Sequence, residues 1–365
     1  MRTVDSDFSV PATMRAAVYR GESAIAIEML PTPEIGPGEL LVRVESCGIC
    51  HTDLKKVEHN LLPPPRIFGH ETAGVVVRTG AGAGDFAVGD RVIVFHHVPC
   101  RECFYCRRKL YAQCPTYKKV GVTAGFEPAG GGFSQYVRVM DWIVRQGVEK
   151  FADGVPFDRA CFVEPVNTCL KAVVQMDPQP GELALVLGQG PIGLLFTMLV
   201  RRTGARVAAT DRIARRRELA LRFGAEEAWD PGTTAIELRV AALSEGRGAD
   251  LVMVAASAPG LVEQAVRCSR PGSRILLFSQ TSHQEKVELC GADICVGERT
   301  LLGCYSASID LQKESARLVF SGELPVEGLI SHRLPLDLIG SGIQLALHPD
   351  EEALKIIVQP QRWAQ

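Results

Sequence analysis

Residues 183–211 read LALVLGQGPIGLLFTMLVRRTGARVAATD, and this stretch decides the fold of the central part of the chain. Its first five residues are apolar and predict a buried parallel strand. Gly188, Gly190 and Gly193 follow in G-x-G-x-x-G spacing, which permits a tight turn, a close backbone approach to a pyrophosphate and close helix packing. Pro191 and Ile192 stand where that helix begins, a position that tolerates proline.

A second strand over 205–210 ends at Asp211, about twenty residues beyond the glycines, where a carboxylate binds an adenosine ribose. The stretch therefore predicts a NAD-binding site that includes Gly188, Gly190, Pro191, Ile192, Gly193, Asp211 and Arg212. A carboxylate repels the extra phosphate of NADP, so Asp211 favours NAD. NADP remains an alternative cofactor, because the side chain of Arg212 or Arg215 could reach its extra phosphate. The other interpretation is that both arginines only lie at the solvated start of a helix. A methyltransferase is disfavoured, since its acid precedes the glycines.

The composition is that of a globular protein long enough for two domains, with 365 residues, 46% hydrophobic and 22% charged. The net charge of −2 gives no general attraction to nucleic acid or to an anionic membrane. The apolar run over 194–200 is too short to span a bilayer. We expect no signal peptide, because residues 1–10 carry Asp5 and Asp7 and have no apolar h-region. We expect a cytoplasmic protein whose twelve cysteines bind metal or act in catalysis.

Four cysteines lie close together in C-x₂-C-x₂-C-x₇-C spacing, and these are Cys100, Cys103, Cys106 and Cys114. Four thiolates in so short a segment predict a closed tetrahedral zinc site that fixes a lobe. An iron–sulfur cluster is the competing interpretation, because Cys114 precedes a proline as in ferredoxins. Ferredoxins place three residues before that cysteine rather than seven, so zinc is favoured. A redox or disulfide role is a weaker alternative.

A second set of metal-binding residue types begins with Cys47 and Cys50 and continues with His70, Glu71 and Glu164. Cysteine, histidine and carboxylate are zinc ligands, although a lone cysteine or histidine is more often only a buried or surface residue. The C-x-x-C pair also fits a redox site, but it precedes no suitable helix in a βαβ unit. Glu164 has apolar neighbours, and its alternative role is a helix-start carboxylate stabilised by the helix dipole.

Strands and helices alternate after the glycine motif. Strands are predicted over 183–187, 205–210, 227–229, 249–255, 273–278 and 300–304, and helices over 215–223 and 311–321. Six strands in this pattern make a complete doubly wound α/β sheet. Further strands begin at Met14 and over 39–46, a helix lies near 170–175, and residues 1–13 form a polar, disordered extension.

The histidine–glutamate pair, the four-cysteine segment and the glycine motif together resemble the zinc-containing medium-chain dehydrogenases, such as the alcohol, sorbitol and threonine dehydrogenases. The resemblance covers nearly the whole chain after Met14. It implies a GroES-like, mainly-β catalytic domain formed by 14–164 and 307–365, with a structural zinc lobe over 96–116. A six-stranded parallel Rossmann domain over 165–306 is inserted between these parts. The resemblance also implies a homodimer or homotetramer.

The resemblance further implies two zinc ions per chain, NAD as cofactor and a small alcohol or polyol as substrate. Cys50, His70 and Glu164 would hold the catalytic zinc, with Glu71 as an alternative ligand or a neighbouring acid. Thr52 would accept the hydroxyl proton while hydride passes to the nicotinamide, giving a ketone or aldehyde. His51 and Lys355 match basic residues that contact the cofactor pyrophosphate.

One residue departs from the pattern of the family, because Lys55 stands where many relatives have a histidine that ends the proton relay. The relay then ends at water, runs through His51 or is slower, and the sequence leaves these three open. A threonine-type dehydrogenase is the alternative enzyme. A zinc and nucleotide protein without catalysis is the alternative of another class. The zinc-free reductases of the same fold lack the residue types at Cys50, His70 and Glu164.

Overall fold

A computed structural model describes residues 8–126, 130–279 and 286–363. It divides the chain into two compact units, residues 1–165 with 308–365 and residues 166–307. The two domain boundaries predicted from the sequence, after residues 164 and 306, each lie one residue before those of the structure. Most of the predicted N-terminal extension, residues 1–7, lies outside the described residues. No helix in the described part of the chain has the length and apolar character needed to cross a membrane.

The first unit is mainly β. Its strands are β1 (Thr13–Gly21), β2 (Ala24–Pro31), β3 (Leu40–Gly48), β4 (Glu71–Thr79), β5 (Arg91–Val94), β6 (Val122–Thr123), β7 (Tyr136–Val139), β8 (Val148–Lys150), β15 (Ile330–Pro335) and β16 (Lys355–Gln359). The described strands form a β1–β2 hairpin and an eight-stranded sheet in the order β15-β16-β3-β4-β5-β8, with β7 also on β3 and β6 on β7. A large apolar core lies within this unit, and Met14, Leu40, Phe68 and Phe133 are among its buried residues.

The register of the sheet brings distant segments of the chain to one place. β4 runs antiparallel to β3 with Glu71 opposite Gly48, and β16 runs antiparallel to β3 with Ile357 also opposite Gly48. The end of β3, the start of β4 and the start of β16 therefore meet. Because side chains alternate between the two faces of a strand, this register decides which of them point toward one another.

The helices of the first unit are α1 (His51–Glu58), α2 (Asp141–Val144), α3 (Phe157–Ala160), α10 (Gln312–Phe320) and α11 (Ile339–Leu347), and α4 (Val163–Met176) begins in it. Helix α1 was not predicted from the sequence, because it is short and only two of its residues, Leu54 and Val57, are apolar. A reciprocal hydrogen-bonded cap between Cys50 and Asp53 fixes its start. The helix predicted near 170–175 begins seven residues earlier, so Glu164 lies in its first turn.

The second unit is the predicted doubly wound sheet. Its strands are β9 (Leu183–Leu187), β10 (Arg206–Thr210), β11 (Glu227–Trp229), β12 (Ala249–Val254), β13 (Ser269–Leu277) and β14 (Thr300–Gly303). They pair in parallel in the order β11-β10-β9-β12-β13-β14, so the strand order reverses between β9 and β12. Its helices are α5 (Pro191–Arg201), α6 (Ala214–Arg222), α7 (Ile236–Leu243), α8 (Leu261–Cys268) and α9 (Gly291–Cys295). The predicted six-stranded α/β fold is confirmed.

Candidate functional site

A mixed group of metal-binding side chains forms where β3 and β4 meet. Cys50 ends the loop after β3, His70 immediately precedes β4 and Glu71 is the first residue of β4. One sulfur, one ring nitrogen and one carboxylate oxygen of these residues all lie within 4.8 Å of one another. His70 and Glu71 are buried and Cys50 is partly buried. Three ligands of these types, with a fourth position left for another molecule, are typical of catalytic zinc.

Asp53 is a member of this site that the sequence analysis missed. It is 1% exposed, and its Oδ1 lies 3.1 Å from Nδ1 of His70. A histidine that binds a metal usually donates its other N–H to such a carboxylate, which fixes the ring and its tautomer. The signal in the sequence is the spacing of Asp53 from Cys50, which places this acid in the first turn of α1.

Glu71 forms an ion pair with Lys355, the first residue of β16. The Nζ atom of Lys355 donates to Oε1 of Glu71 at 2.5 Å and to the carbonyl oxygen of Ile49 at 3.1 Å. Both side chains are almost completely buried. Gly48 is necessary for this pair, because a Cβ there would clash with Oε2 of Glu71 and lie 2.9 Å from Cε of Lys355. Lys355 is thus held inside the first unit.

Glu164 does not belong to the group of side chains whose ligand atoms lie within 4.8 Å of one another. Its carboxylate still interacts electrostatically with His70 and Glu71 of that group. Burial raises the pKa of Glu164 to about 7, the charge of His70 opposes this rise, and Glu71 adds to it. Its side chain is half-buried, in contrast to that of Glu71. The structure therefore offers two carboxylates near Cys50 and His70, one paired with Lys355 and one in the first turn of α4.

The charges around His70 fit a cation at this position. Burial alone would lower the pKa of His70, but Asp53 and Cys50 raise it well above its usual value. A site that stabilises positive charge on the imidazole has a negative potential, and a divalent metal ion is stabilised there by the same groups. The donor set of sulfur, nitrogen and carboxylate oxygen suits zinc.

The four cysteines of the predicted lobe come together as a compact group. The sulfur–sulfur distances are 3.5 Å for Cys103–Cys106, 3.6 Å for Cys114–Cys100 and 3.9 Å for Cys100–Cys106. Zinc–sulfur bonds of about 2.3 Å at tetrahedral angles place sulfurs about 3.8 Å apart, so the group fits one zinc ion. The backbone N–H of Cys100 donates to Sγ of Cys114 at 3.4 Å, which stabilises a thiolate there.

The lobe packs through its own small core. Tyr111, Ala112 and Tyr117 are buried against the cysteines, and the hydroxyl of Tyr111 donates to Oδ2 of Asp310 at 2.7 Å. Short 3₁₀ turns over Cys106–Arg108, Tyr111–Gln113 and Thr116–Lys118 replace longer elements. With so little regular structure, the lobe depends on its metal for a fixed conformation.

Two predicted residues of the proton and cofactor machinery lie at the start of α1. Thr52 is its second residue, half-buried and two positions from Cys50. His51 is its first residue and is exposed, so its side chain is accessible to another molecule. Lys55, the residue that departs from the family pattern, lies one turn further along the same helix.

The glycine motif of the second unit forms the expected strand–turn–helix. Gly188 follows β9 with φ +93°, and a Cβ on it would lie 2.6 Å from Cβ of Ala256. Gly190 precedes α5, and Pro191 and Ile192 begin it. A Cβ on Gly193 would clash with the carbonyl oxygen of Gly188. Gly188 and Gly193 are therefore needed for the turn, whereas a Cβ on Gly190 would meet only Nη1 of Arg216, at 3.9 Å. The amino end of α5 is the kind of helix start at which a pyrophosphate binds.

Asp211 lies at the end of β10 and is tied to this turn. Its Oδ2 accepts a hydrogen bond from the N–H of Gln189 at 2.7 Å, and its Oδ1 accepts one from Ile213 at 2.9 Å. The arginine nearest its carboxylate is Arg216, with Nη1 4.0 Å from Oδ2. Arg212 and Arg215 are exposed, and Arg215 pairs with Glu218. The sequence analysis missed Arg216, because helix geometry decides which of four neighbouring arginines turns inward.

Comparison with known families matches both parts of the chain. Residues 36–147 match the alcohol dehydrogenase GroES-like domain, and residues 191–321 match the zinc-binding dehydrogenase domain. The first match includes Cys50, His70 and the four cysteines of the lobe. The second match begins at Pro191, inside the glycine motif.

Relatives of known activity match nearly the full length. The (R,R)-butanediol dehydrogenase of Neisseria gonorrhoeae is 29% identical over 95% of this chain and 99% of its own. The L-threonine 3-dehydrogenase of Pyrococcus abyssi is 30% identical over 87% of this chain and 90% of its own. A solved structure from Sinorhizobium meliloti 1021, described as a zinc-binding dehydrogenase bound to NADP, has a TM-score of 0.85 and 29% identity, covering 96% and 100%.

The paired domains, the two groups of metal-binding side chains and the dinucleotide turn agree with these relatives. Zinc and a nicotinamide dinucleotide are therefore the cofactors. The activity is that of a zinc-binding dehydrogenase, an oxidoreductase. This chain belongs to the family of zinc-binding alcohol dehydrogenases.

Proposed function

We propose that this enzyme oxidises a secondary hydroxyl of a diol or polyol to a ketone and reduces NAD. The observation that carries the proposal is the group of Cys50, His70 and Glu71, whose ligand atoms lie within 4.8 Å of one another. Three protein ligands leave a fourth position for the substrate oxygen. The butanediol dehydrogenase among the relatives supports a diol, and the sorbitol dehydrogenase of Bacillus subtilis, at 27% identity over 97% of this chain, supports a polyol.

We infer that Cys50, His70 and Glu164 hold the catalytic zinc, with Glu71 as the alternative carboxylate. Glu71 already accepts a hydrogen bond from Lys355, which competes for its negative charge. Asp53 keeps the His70 ring oriented through the contact at Nδ1, so Nε2 is the nitrogen left for the metal. Zinc content of Glu164→Gln and Glu71→Gln variants tests this assignment, and the larger loss identifies the ligand.

Zinc, when bound, supplies positive charge that lowers the pKa of a hydroxyl at the fourth position. The chain supplies the acceptor for the proton, and Thr52 is the hydroxyl residue nearest in sequence to Cys50. The exposed His51, directly before Thr52, is in position to pass the proton to solvent. Lys355 neutralises Glu71 and so limits the negative charge that the site gathers in its buried part.

NAD is the proposed acceptor of hydride, since Asp211 presents a carboxylate at the end of β10. Gly188, Gly190 and Gly193 shape the turn for the pyrophosphate, and Arg216 lies beside Asp211. One structural relative was solved with NADP, so activity with NAD is to be compared directly with activity with NADP. Arg216 gives NADP a partner for its phosphate, so we expect a preference for NAD rather than complete exclusion of NADP.

A substrate screen followed by NADH absorbance tests the proposed function. The panel contains secondary alcohols, vicinal diols, polyols and L-threonine, each with NAD and with NADP. Turnover of diols or polyols supports the proposal. L-threonine is the second candidate, favoured by the relative at 30% identity, and turnover of threonine alone would replace the proposal. No turnover in the whole panel, with both zinc ions present, would favour a non-catalytic role.

The remaining inferences concern assembly and location. A homodimer or homotetramer is the expected assembly, and light scattering of the purified enzyme measures it. A reducing compartment such as the cytoplasm is expected, because none of the twelve cysteines, all within the described residues, forms a disulfide and four of them form the lobe. Fractionation of cells that produce the tagged protein tests the location.

A further inference from the structure

A buried pair of polar side chains, Gln189 and Thr197, lies at the glycine motif of the second unit. Gln189 stands between Gly188 and Gly190, and Thr197 lies in the middle of α5. Both residues are completely buried, with 0% of their surface exposed. Apolar residues would fill this space without losing hydration, whereas a buried polar pair must offset that loss through its hydrogen bonds.

The side-chain amide of Gln189 uses both its donor and its acceptor. Its Nε2 atom donates to the carbonyl oxygen of Gly188 at 3.1 Å and to that of Val186 at 3.4 Å. Its Oε1 atom accepts a hydrogen bond from the hydroxyl of Thr197 at 2.9 Å. The amide therefore joins the end of β9 to the middle of α5, across the turn that connects them.

The carbonyl group of Gly188 that this amide holds also faces the first turn of α5. A Cβ on Gly193 would clash with that carbonyl oxygen and would lie 3.4 Å from Nε2 of Gln189. The strand end and the helix start are thus in close contact, so a shift of one moves the other. The backbone N–H groups of a first helical turn are those that point toward a bound pyrophosphate.

The backbone of Gln189 contacts another part of the dinucleotide site. Its N–H donates to Oδ2 of Asp211 at 2.7 Å, and Asp211 is the carboxylate expected at the adenosine ribose. Gln189 therefore contacts the end of β9, the helix α5 and the acid that follows β10. A residue bound in three directions has little freedom, so the turn has its conformation before a ligand binds.

We propose that Gln189 and Thr197 are positioning residues for the dinucleotide, and that they hold the pyrophosphate turn in its binding conformation. Both side chains are completely buried, so they act through the turn rather than by contact with the cofactor. A turn that is already ordered loses less entropy on binding, which increases affinity. NAD and NADP share the pyrophosphate, so the pair strengthens the binding of both. The inference rests on the dinucleotide of the proposed function and is independent of the alcohol substrate.

The test measures the binding of NAD, NADP and ADP-ribose to the zinc-loaded enzyme by calorimetry, without an alcohol substrate. Gln189→Met keeps the length of the side chain and removes the amide. It should weaken the binding of all three ligands by about tenfold, the scale of one buried hydrogen bond. Thr197→Val leaves the amide without its anchor on α5 and should have a smaller effect. Each single variant should also lower the melting temperature, because one buried polar group loses its partner.

The variant with both substitutions separates a positioning role from a structural one. Both members of the pair are then apolar, so no buried polar group of the pair is left unpaired and the melting temperature should largely recover. Binding should remain weak, because methionine holds no carbonyl group of the turn. With an alcohol that the wild type oxidises, KM for NAD should rise in Gln189→Met while kcat at saturating NAD stays close to that of the wild type.

The matched control is Thr203→Val, the same substitution two residues beyond the end of α5. The hydroxyl of Thr203 donates to the carbonyl oxygen of Val200 at 2.8 Å. Its loss should lower the melting temperature without changing the dissociation constant of NAD. Should Gln189→Met fail to fold, the double variant still decides, since it lacks the same amide and leaves no member of the pair unpaired.

Three results would overturn the inference: unchanged dissociation constants in Gln189→Met, recovery of binding together with stability in the double variant, or an equal loss of binding in Thr203→Val. Failure of the proposed function has a different result. The wild-type enzyme would then bind NAD and ADP-ribose and oxidise no alcohol of the substrate panel, and the effects on binding would still be measurable.

Discussion

The two groups of metal-binding residues in the first unit are built in opposite ways. The lobe takes its four ligands from one segment of fifteen residues, Cys100 to Cys114, joined by short turns. The other group takes Cys50, His70 and Glu71 from the ends of two strands, and His70 and Glu71 each have a supporting residue from elsewhere. The first arrangement surrounds an ion with four identical ligands. The second has three ligands and so leaves the fourth ligand position open, and the charges of Asp53 and Lys355 lie beside its ligands.

This difference teaches that the ligands alone do not make the reactive site. Asp53 orients His70 and Lys355 pairs with Glu71, and both supporting residues are buried. The thiolates of the lobe are supported instead by the backbone, as at the N–H of Cys100. We therefore expect changes at the mixed site to affect turnover, and changes in the lobe to affect stability.

Treatment with a chelator should remove the two metals in sequence. The ion bound by three mixed ligands should leave first, because four thiolates in a closed lobe hold zinc more tightly. We expect complete loss of activity with one of the two zinc equivalents gone and little change in melting temperature. Elemental analysis and activity, measured in parallel over time, check this.

The variant Cys103→Ser should have the opposite effect, a loss of stability that exceeds the loss of activity. It should lower the melting temperature and lose the lobe zinc while some turnover remains. Simultaneous loss of both ions under the chelator, or persistent iron with visible absorption, would contradict the distinction between the two groups.

Thr52→Val should reduce kcat by about two to four orders of magnitude, the range of general acid–base catalysis. Valine keeps the shape of threonine but neither accepts nor donates a proton. Both zinc equivalents, NAD binding and the melting temperature should remain close to those of the wild type. Steady-state kinetics with elemental analysis measures the effect. A variant that turns over at the wild-type rate while retaining zinc would remove Thr52 from the proton path.

Asp53→Asn should lower zinc affinity or kcat/KM by about 10- to 100-fold, as is usual for residues that orient a metal ligand. The amide removes the negative charge that faces the His70 ring. Glu58→Gln is the matched control, since Glu58 lies exposed at the end of the same helix. Zinc titration of both variants gives the comparison. Equal effects in the two would mean that α1 as a whole, rather than the carboxylate, matters.

Asp211→Gly should produce the smallest effect, a narrowing of the preference for NAD over NADP by about tenfold. The substitution removes the carboxylate that repels a ribose phosphate, and Arg216 becomes available to the phosphate. Asp211 also accepts two backbone hydrogen bonds, so Asp211→Asn, which preserves shape, separates charge from structure. Values of kcat/KM with NAD and with NADP, measured for the wild type and both variants, show whether the charge of Asp211 sets the preference. A wild type that already prefers NADP would reverse the assignment.

The sequence allowed prediction of what local spacing determines. The cysteine spacing predicted the lobe, and the glycines with Asp211 predicted the turn between β9 and α5. The contacts that were not predicted from the sequence depend on how the strands pair in the folded protein. Lys355 meets Glu71 only because β16 and β4 flank β3. No short-range pattern carries that information.

The pair of Glu71 and Lys355 also has a consequence for biosynthesis. Its two residues are 284 positions apart, so the pair can form only after all the intervening residues have been synthesised. The four cysteines of the lobe, in contrast, can bind an ion soon after they leave the ribosome. Closing so long a loop is slow relative to local folding. A nascent chain should thus acquire a rigid lobe early, while the reactive centre matures only after β16 has been synthesised.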